Sequence, residues 1–169
     1  SKVLLSLLLR ANRLKQTEDY LAAADVYAQG IAIVGDNAPL FAAIADCYFA
    51  ASFSRTDKEG TRHGESALRW MERAVNVAPL IGRLHARLAE YYSLVNNNYA
   101  KAATEYRKDI TLTPNDVVAL IGATSLYGVP DEVVSLDEAI AWQEHAISLE
   151  PDNPNYHVRL AGFYEEGGR

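Results

Sequence analysis

The chain has 169 residues, 49% of them hydrophobic and 22% charged, which suits one compact domain or a short repeat array and excludes a disordered segment. Sixteen Lys and Arg against 22 Asp and Glu give a net charge of −6, with no basic cluster of the kind that neutralises phosphates, so nucleic acid is not an expected partner. The single cysteine, Cys47, excludes an intramolecular disulfide and a multi-cysteine metal site. The chain therefore needs no oxidising compartment, and a cytoplasmic location is the simplest expectation, with the periplasm open.

In chain order, the first element is an apolar run from Val3 to Leu9, followed by Arg10 and Arg13. A bilayer span needs about 20 apolar residues, so membrane insertion is not expected and the run reads as a buried first helix. The first residue is not Met, which leaves a fragment or a processed form as one reading. Alanine and leucine are abundant beyond this point, and no strand-like alternation persists, so the elements read as helices.

Two blocks then recur. The first is a bulky apolar residue, a small one, and Tyr three places later: Ile44-Ala45…Tyr48, Leu88-Ala89…Tyr92 and Leu160-Ala161…Tyr164, with Ala123…Tyr127 as a weaker copy. The second is Ala, a residue four later that is often large, a small residue, then a stop. Its copies are Ala23/Tyr27/Gly30/Gly35, Ala67/Met71/Ala74/Pro79, Ala102/Tyr106/Asp109/Pro114 and Ala139/Gln143/Ala146/Pro151. Ala to stop is 12 positions in all four copies, and stop to the next first-block residue is 9. Constant intervals of this kind indicate one packed unit: helix, proline-ended turn, next helix.

The pattern resembles the tetratricopeptide repeat. The resemblance implies an all-α fold, a right-handed superhelical solenoid of antiparallel helix pairs forming a single array over 1–169. Its repeats would cover about 4–37, 38–81, 82–116 and 117–153, with an extra helix at 154–166. Repeat 1 departs from the pattern, with Arg10 and Leu14 at the Leu and Tyr positions. The interval from the Tyr position to Ala varies: 9 from Leu14 to Ala23, 19 from Tyr48 to Ala67, 10 from Tyr92 to Ala102 and 12 from Tyr127 to Ala139. Extra length thus falls between the two helices of a repeat. The longest stretch, 52–64, is polar and Gly-bearing and is expected to be an exposed excursion.

Residues with chemical potential mostly have structural explanations. His85 and His157 fall at the large first position filled by Phe41 and Leu120 elsewhere, which predicts packing. No His-x-x-x-His or His-Glu-x-x-His spacing for zinc is present. His63 lies near Asp57 and Glu59 in the expected excursion, where a metal or partner contact is a minor alternative. Gly64-Glu65-Ser66-Ala67 lacks the strand that a nucleophile elbow requires, and Ser66 reads as a helix start. Cys47 reads as a small buried thiol. No phosphate loop or catalytic carboxylate pair is found, so neither an enzyme nor a cofactor is expected.

The family resemblance also implies a concave groove lined by the first helix of each repeat, holding a protein or peptide. Positions carried over to this chain are Leu8, Ala42, Ala86, Ile121 and Val158, and one turn on, Asn12, Asp46, Glu90, Ser125 and Gly162; Phe49 is a further contact candidate. Asn12, Arg83 and Arg87 match positions of the carboxylate-clamp variety of the repeat. Leu8 and Ala43 replace two other clamp residues, and Asp46 and Glu90 would repel an acidic terminus, so a standard clamp is rejected. Arg83 and Arg87 remain as anion-contacting candidates. Trp70 and Trp142 share a position in the second helix of their repeats, where half-buried packing is preferred over a convex contact site. The alternatives to a binding scaffold are a self-assembly module forming homo-oligomers, or the regulatory arm of a larger protein or enzyme.

Overall fold

The computed structural model describes residues 2–55 and 57–168. The chain falls into two compact units, residues 1–79 and 80–169. The first holds α1 (Lys2–Gln16), α2 (Tyr20–Val34), α3 (Ala38–Phe53) and α4 (Lys58–Val77). The second holds α5 (Gly82–Asn96), α6 (Tyr99–Leu112), α7 (Val117–Thr124), α8 (Leu136–Leu149) and α9 (Pro154–Glu166), with a short 3-10 turn at Pro130–Glu132. The fold is an all-α helical repeat, and no strand occurs among the described residues.

Helix starts follow from short polar residues that satisfy orphan N–H groups. Asn37 Oδ1 accepts from Leu40 N at 3.1 Å, Asn98 Oδ1 from Lys101 N at 3.1 Å and Asp116 Oδ1 from Val118 N at 2.9 Å. Pro39 and Pro154 occupy first-turn positions where no N–H is missed. The ends of α4, α6 and α8 are nearly superimposable. Ala78, Thr113 and Glu150 take φ/ψ of −134/65, −137/74 and −131/73, each donating its N–H four residues back. Each precedes a proline, whose ring expels the preceding residue from helical geometry. At the end of α2, Gly35 does the same work with φ 74, a conformation that suits glycine.

Packing within each pair rests on the motif alanines. Ala23, Ala67, Ala102 and Ala139 are all fully buried, letting the helix axes approach, while Tyr27, Met71, Tyr106 and Gln143 fill the adjoining layer. The first unit's core joins Ala11, Ala23, Val26, Tyr27, Leu40, Ile44 and Cys47, with Leu7, Leu8 and Leu14 against it. Phe41 and Trp70 lie 5.5 Å apart, and the Arg73 guanidinium covers both rings at 4.2 and 4.5 Å. Trp142 is half-buried like Trp70, with the Arg107 guanidinium 5.8 Å from its ring.

Five expectations are corrected. First, most of 52–64 is helix: α3 runs to Phe53 and α4 begins at Lys58, capped by Asp57, with Thr56 outside the described residues. Gly60 serves close packing. A Cβ on Gly60 would stand 2.0 Å from the Arg55 carbonyl oxygen and 3.0 Å from that of Ser52. Second, Ser66 lies inside α4, where its hydroxyl accepts from Arg69 Nη2 at 2.9 Å, because the helix gains its cap nine residues earlier.

Third, α7 spans only eight residues and ends before Tyr127. Gly128, at φ 79, and Pro130 lie beyond its end, and Thr124 and Ser125 turn their hydroxyls back onto Leu120 and Gly122 carbonyls. Fourth, His157 is exposed, with Nε2 2.7 Å from the Pro151 carbonyl, because no residue of α9 is buried. Fifth, α1 is buried on one face only: Val3, Leu5 and Leu9 stand in solvent.

Candidate groove on the second unit

A concavity of the second unit forms where α5, α6 and α7 meet. Its volume is about 530 Å³. Helix α5 contributes Arg83, Ala86, Arg87 and Glu90, which recur at helical spacing and so share a face. Tyr106 rises from α6, and Asp116, Val118 and Gly122 close the far side from α7 and its cap. Ala86 forms a buried floor; Arg83, Glu90 and Val118 are exposed.

Gly122 sets how closely α7 approaches. A Cβ there would lie 2.5 Å from Tyr106 Cζ and 2.6 Å from its hydroxyl oxygen, so only glycine lets the helix pass over this ring. Burial, and then the negative charge of Glu90, pushes the Tyr106 phenol far above its ordinary value. It stays neutral and serves the groove as a hydrogen-bonding tip on an apolar ring.

Beneath the groove, α5 and α6 enclose an unusual polar layer. His85 Nδ1 lies 2.6 Å from Glu105 Oε2, both buried, and Lys108 Nζ donates to Glu105 Oε1 at 2.7 Å. Asp109 is fully buried, and neither carboxylate oxygen attains hydrogen-bond geometry. Burial pushes its carboxyl upward, Asp116 adds to the effect, and the neighbouring Thr113 hydroxyl, His85 and Arg83 work in the opposite sense. Asp109 occupies the slot that holds Gly30, Ala74 and Ala146 in the other repeats. It fits because Gly82 has no side chain: a Cβ there would be 2.1 Å from Asp109 Oδ1.

Of the sequence-derived candidates, Arg83, Arg87 and Glu90 come together in this groove. Ile121 is half-buried on α7, and Ser125 caps that helix, its hydroxyl donating to the Gly122 carbonyl at 2.6 Å. Four candidates belong to the first unit. Leu8 packs against its core, and Asn12 Oδ1 accepts from the Tyr27 hydroxyl at 2.7 Å, which gives that amide a structural use. Asp46 is half-buried, and Phe49 meets Phe53 edge-on at 4.9 Å. Among the positions inferred from the family, Ala42 is buried and Val158 and Gly162 are exposed on α9. His63 stacks on Tyr48 with ring centroids 6.0 Å apart.

Sequence reasoning missed Tyr106, Asp116, Val118 and Gly122 as groove residues. Tyr106 carried a signal, since it holds the large position of its repeat, but periodicity cannot say which edge of a core ring meets solvent. Among the described residues, no group of three or more His, Cys, Asp or Glu side chains is placed to hold a metal ion, and no helix is long and apolar enough to cross a membrane.

Paired helices with fixed alanines at their crossings and equivalent proline-ended turns define a tetratricopeptide-repeat-like fold. Among solved structures the chain is similar to MamA, with TM-score 0.78 and 14% identity over 99% of this chain and 84% of that one. It is also similar to TTC0263, a thermophilic TPR protein in Thermus thermophilus, with TM-score 0.72 and 22% identity over 93% of this chain and 79% of that one. A second MamA structure gives TM-score 0.75 at 15% identity, covering 94% and 84%. No protein-family model matches the chain, and no curated protein matches it.

Proposed function

We propose that this protein is a non-catalytic binding scaffold, and that the groove of its second unit holds an extended segment of a protein partner. The observation that carries the reading is the convergence of Arg83, Arg87 and Glu90 on one face of α5, above an Ala86 floor and opposite Val118. A cavity of about 530 Å³ accommodates a few side chains rather than a folded surface. Its chemistry suits a segment that turns an acidic side chain toward Arg83 and an apolar one toward Ala86 and Val118. Tyr106 adds a rigid aromatic edge, the kind of residue that anchors small interfaces.

The test is selection of displayed random peptides on the whole chain, followed by affinity measurement against Arg83→Glu/Val118→Glu. Both side chains are exposed, so the helical circular-dichroism signal should persist. Selected peptides are expected to bind the variant at least about tenfold more weakly, the scale of losing one anchor. Equal binding to variant and parent, or selection that yields no peptide, overturns the reading.

A further inference from the structure

Helix α1 turns Ala11, Leu7, Leu8 and Leu14 toward the first unit's core, and leaves an outward face of a different character. There Leu5 and Leu9, each 58% exposed, border a cavity of about 650 Å³ together with Lys2, Arg10 and Arg13. The helix carries Lys2, Arg10, Arg13 and Lys15 and no acidic residue. No ion pair to Lys2, Arg10 or Arg13 occurs among the described residues.

The opposite chemistry gathers in the second unit. The first unit has nine basic and nine acidic residues and the second seven and thirteen, so the whole net charge of −6 resides in the second. Between Asp131 and Glu166 nine acidic residues face a single basic one, Arg159. The α7–α8 connection there borders a cavity of about 830 Å³, where Asp131, Glu132 and Glu166 stand beside Val129, Pro130 and Leu136. It is an acidic rim around apolar side chains, the complement of the basic rim around Leu5 and Leu9.

We infer that these surfaces are the two halves of one interface between copies of this chain: the outer face of α1 seats on the acidic α7–α8 connection of a second molecule. The inference is independent of the groove reading. Charge complementarity selects the occupant, since two molecules of net charge −6 repel at long range and attract only where the basic helix meets the acidic end. Because the two patches differ, the contact is heterologous, and since each molecule carries both halves, repetition builds a closed ring or an open chain. A single helix face buries little area, so association is concentration-dependent and is weakened by salt as the exposed charges are screened.

Sedimentation velocity of the whole chain across a hundredfold concentration range, at ionic strengths of about 0.05 and 0.5 M, reads this directly. The expected result is a weight-average mass that climbs above that of the monomer at low salt and falls back at high salt. Leu9→Glu/Arg13→Glu should remain monomeric, as should Asp131→Lys/Glu132→Lys, each with an unchanged helical signal. Mixed together they should form a 1:1 complex that grows no further, because each retains the half that the other lost. Should Leu9→Glu disturb α1, Arg10→Glu/Arg13→Glu carries the same test on exposed side chains alone. A parent that stays monomeric at every concentration in low salt overturns the inference. So do variants that still self-associate, a mixture that does not combine, or an α1 that binds anionic vesicles while the protein stays monomeric.

Discussion

Arg107 on α6 and Glu138 on α8 are joined by two hydrogen bonds, Nε to Oε1 at 3.0 Å and Nη2 to Oε2 at 3.2 Å. The same guanidinium donates to the Val133 carbonyl at 2.9 Å, and Glu138 also accepts from the Ser135 N–H at 3.1 Å. One fork thus ties α6, the α7–α8 connection and the capping box of α8 together. Partial burial opposes ionisation of Glu138, but the Ser135 N–H, Arg107 and the Ser135 hydroxyl outweigh it and hold the carboxyl below its ordinary value.

Glu138→Ala removes the fork and half the capping box at once. Both partners are partly solvated, so the cost is set at about 1 to 2 kcal/mol, the scale of a lost cap with a discounted ion pair. Because the folded-state pKa is depressed, the contribution is present above the ordinary glutamate value and lost as pH falls through the folded one. Urea unfolding at pH 7 should separate parent and variant, and the separation should shrink as pH falls below the ordinary glutamate value of about 4.3.

Asp109 works with the opposite sign. Its carboxyl titrates above the ordinary value, so ionisation costs stability at neutral pH, and protonation relieves the cost as pH falls toward the ordinary aspartate value near about 4. Asp109→Ala places at this position the residue found at Ala74 and Ala146. It should stabilise the second unit by about 1 to 3 kcal/mol at pH 7, the scale of an unsatisfied buried polar group. Thermal melts from pH 7 down to about 4 should show the gap narrowing as pH approaches the ordinary aspartate value; a destabilised variant would mean that the carboxylate supports the first turn of α5.

Gly60→Ala introduces a methyl group 2.0 Å from the Arg55 carbonyl oxygen, a backbone atom with no rotamer to escape into. The substitution should lower stability by about 1 to 3 kcal/mol, although alanine is the better helix former. A melt as stable as the parent's would show that the α3–α4 turn yields.

Cys47 is fully buried, and burial raises its thiol pKa, with Lys15 acting weakly in the other direction. A thiol reagent should therefore label the folded chain only through opening of the first unit's core. Labelling rates should rise with urea in step with the loss of helical signal; fast labelling without urea would place Cys47 at the surface.

The repeat register was legible because proline and alanine act locally. Pro79, Pro114 and Pro151 each impose one backbone geometry on the preceding residue, and a buried alanine at 67, 102 or 139 answers to a crossing helix whatever its neighbours do. The failures lie where the outcome depends on what packs opposite. Glycines at 60 and 64 suggest a loop in sequence, yet both lie inside α4, and Gly60 permits a close approach to the end of α3. Tyr127 copies Tyr48 and Tyr92, but its helix ends at Thr124 and Tyr127 lies in a following turn, its N–H donating to the Thr124 carbonyl. The groove was half legible: helical spacing groups Arg83 with Arg87 and Glu90, while the part played by Gly122 depends on the height of Tyr106 beneath it. Nothing in the motif announces Asp109 as buried, since the residue that admits it, Gly82, lies 27 positions earlier on another helix.

The brevity of α7 bears on how the groove would admit the segment proposed for it. Eight residues close barely two turns, and so short a helix keeps its form through Ala119, Leu120 and Ala123 in the core rather than through its own ladder. The wall carrying Val118 and Gly122 is therefore expected to open more readily than the α5 wall with Arg83 and Arg87, which stands on fifteen residues. Amide hydrogens of α7 should exchange with solvent ahead of those of α5. An arriving segment would register its charge against the stiff side and gain its fit from the side that gives.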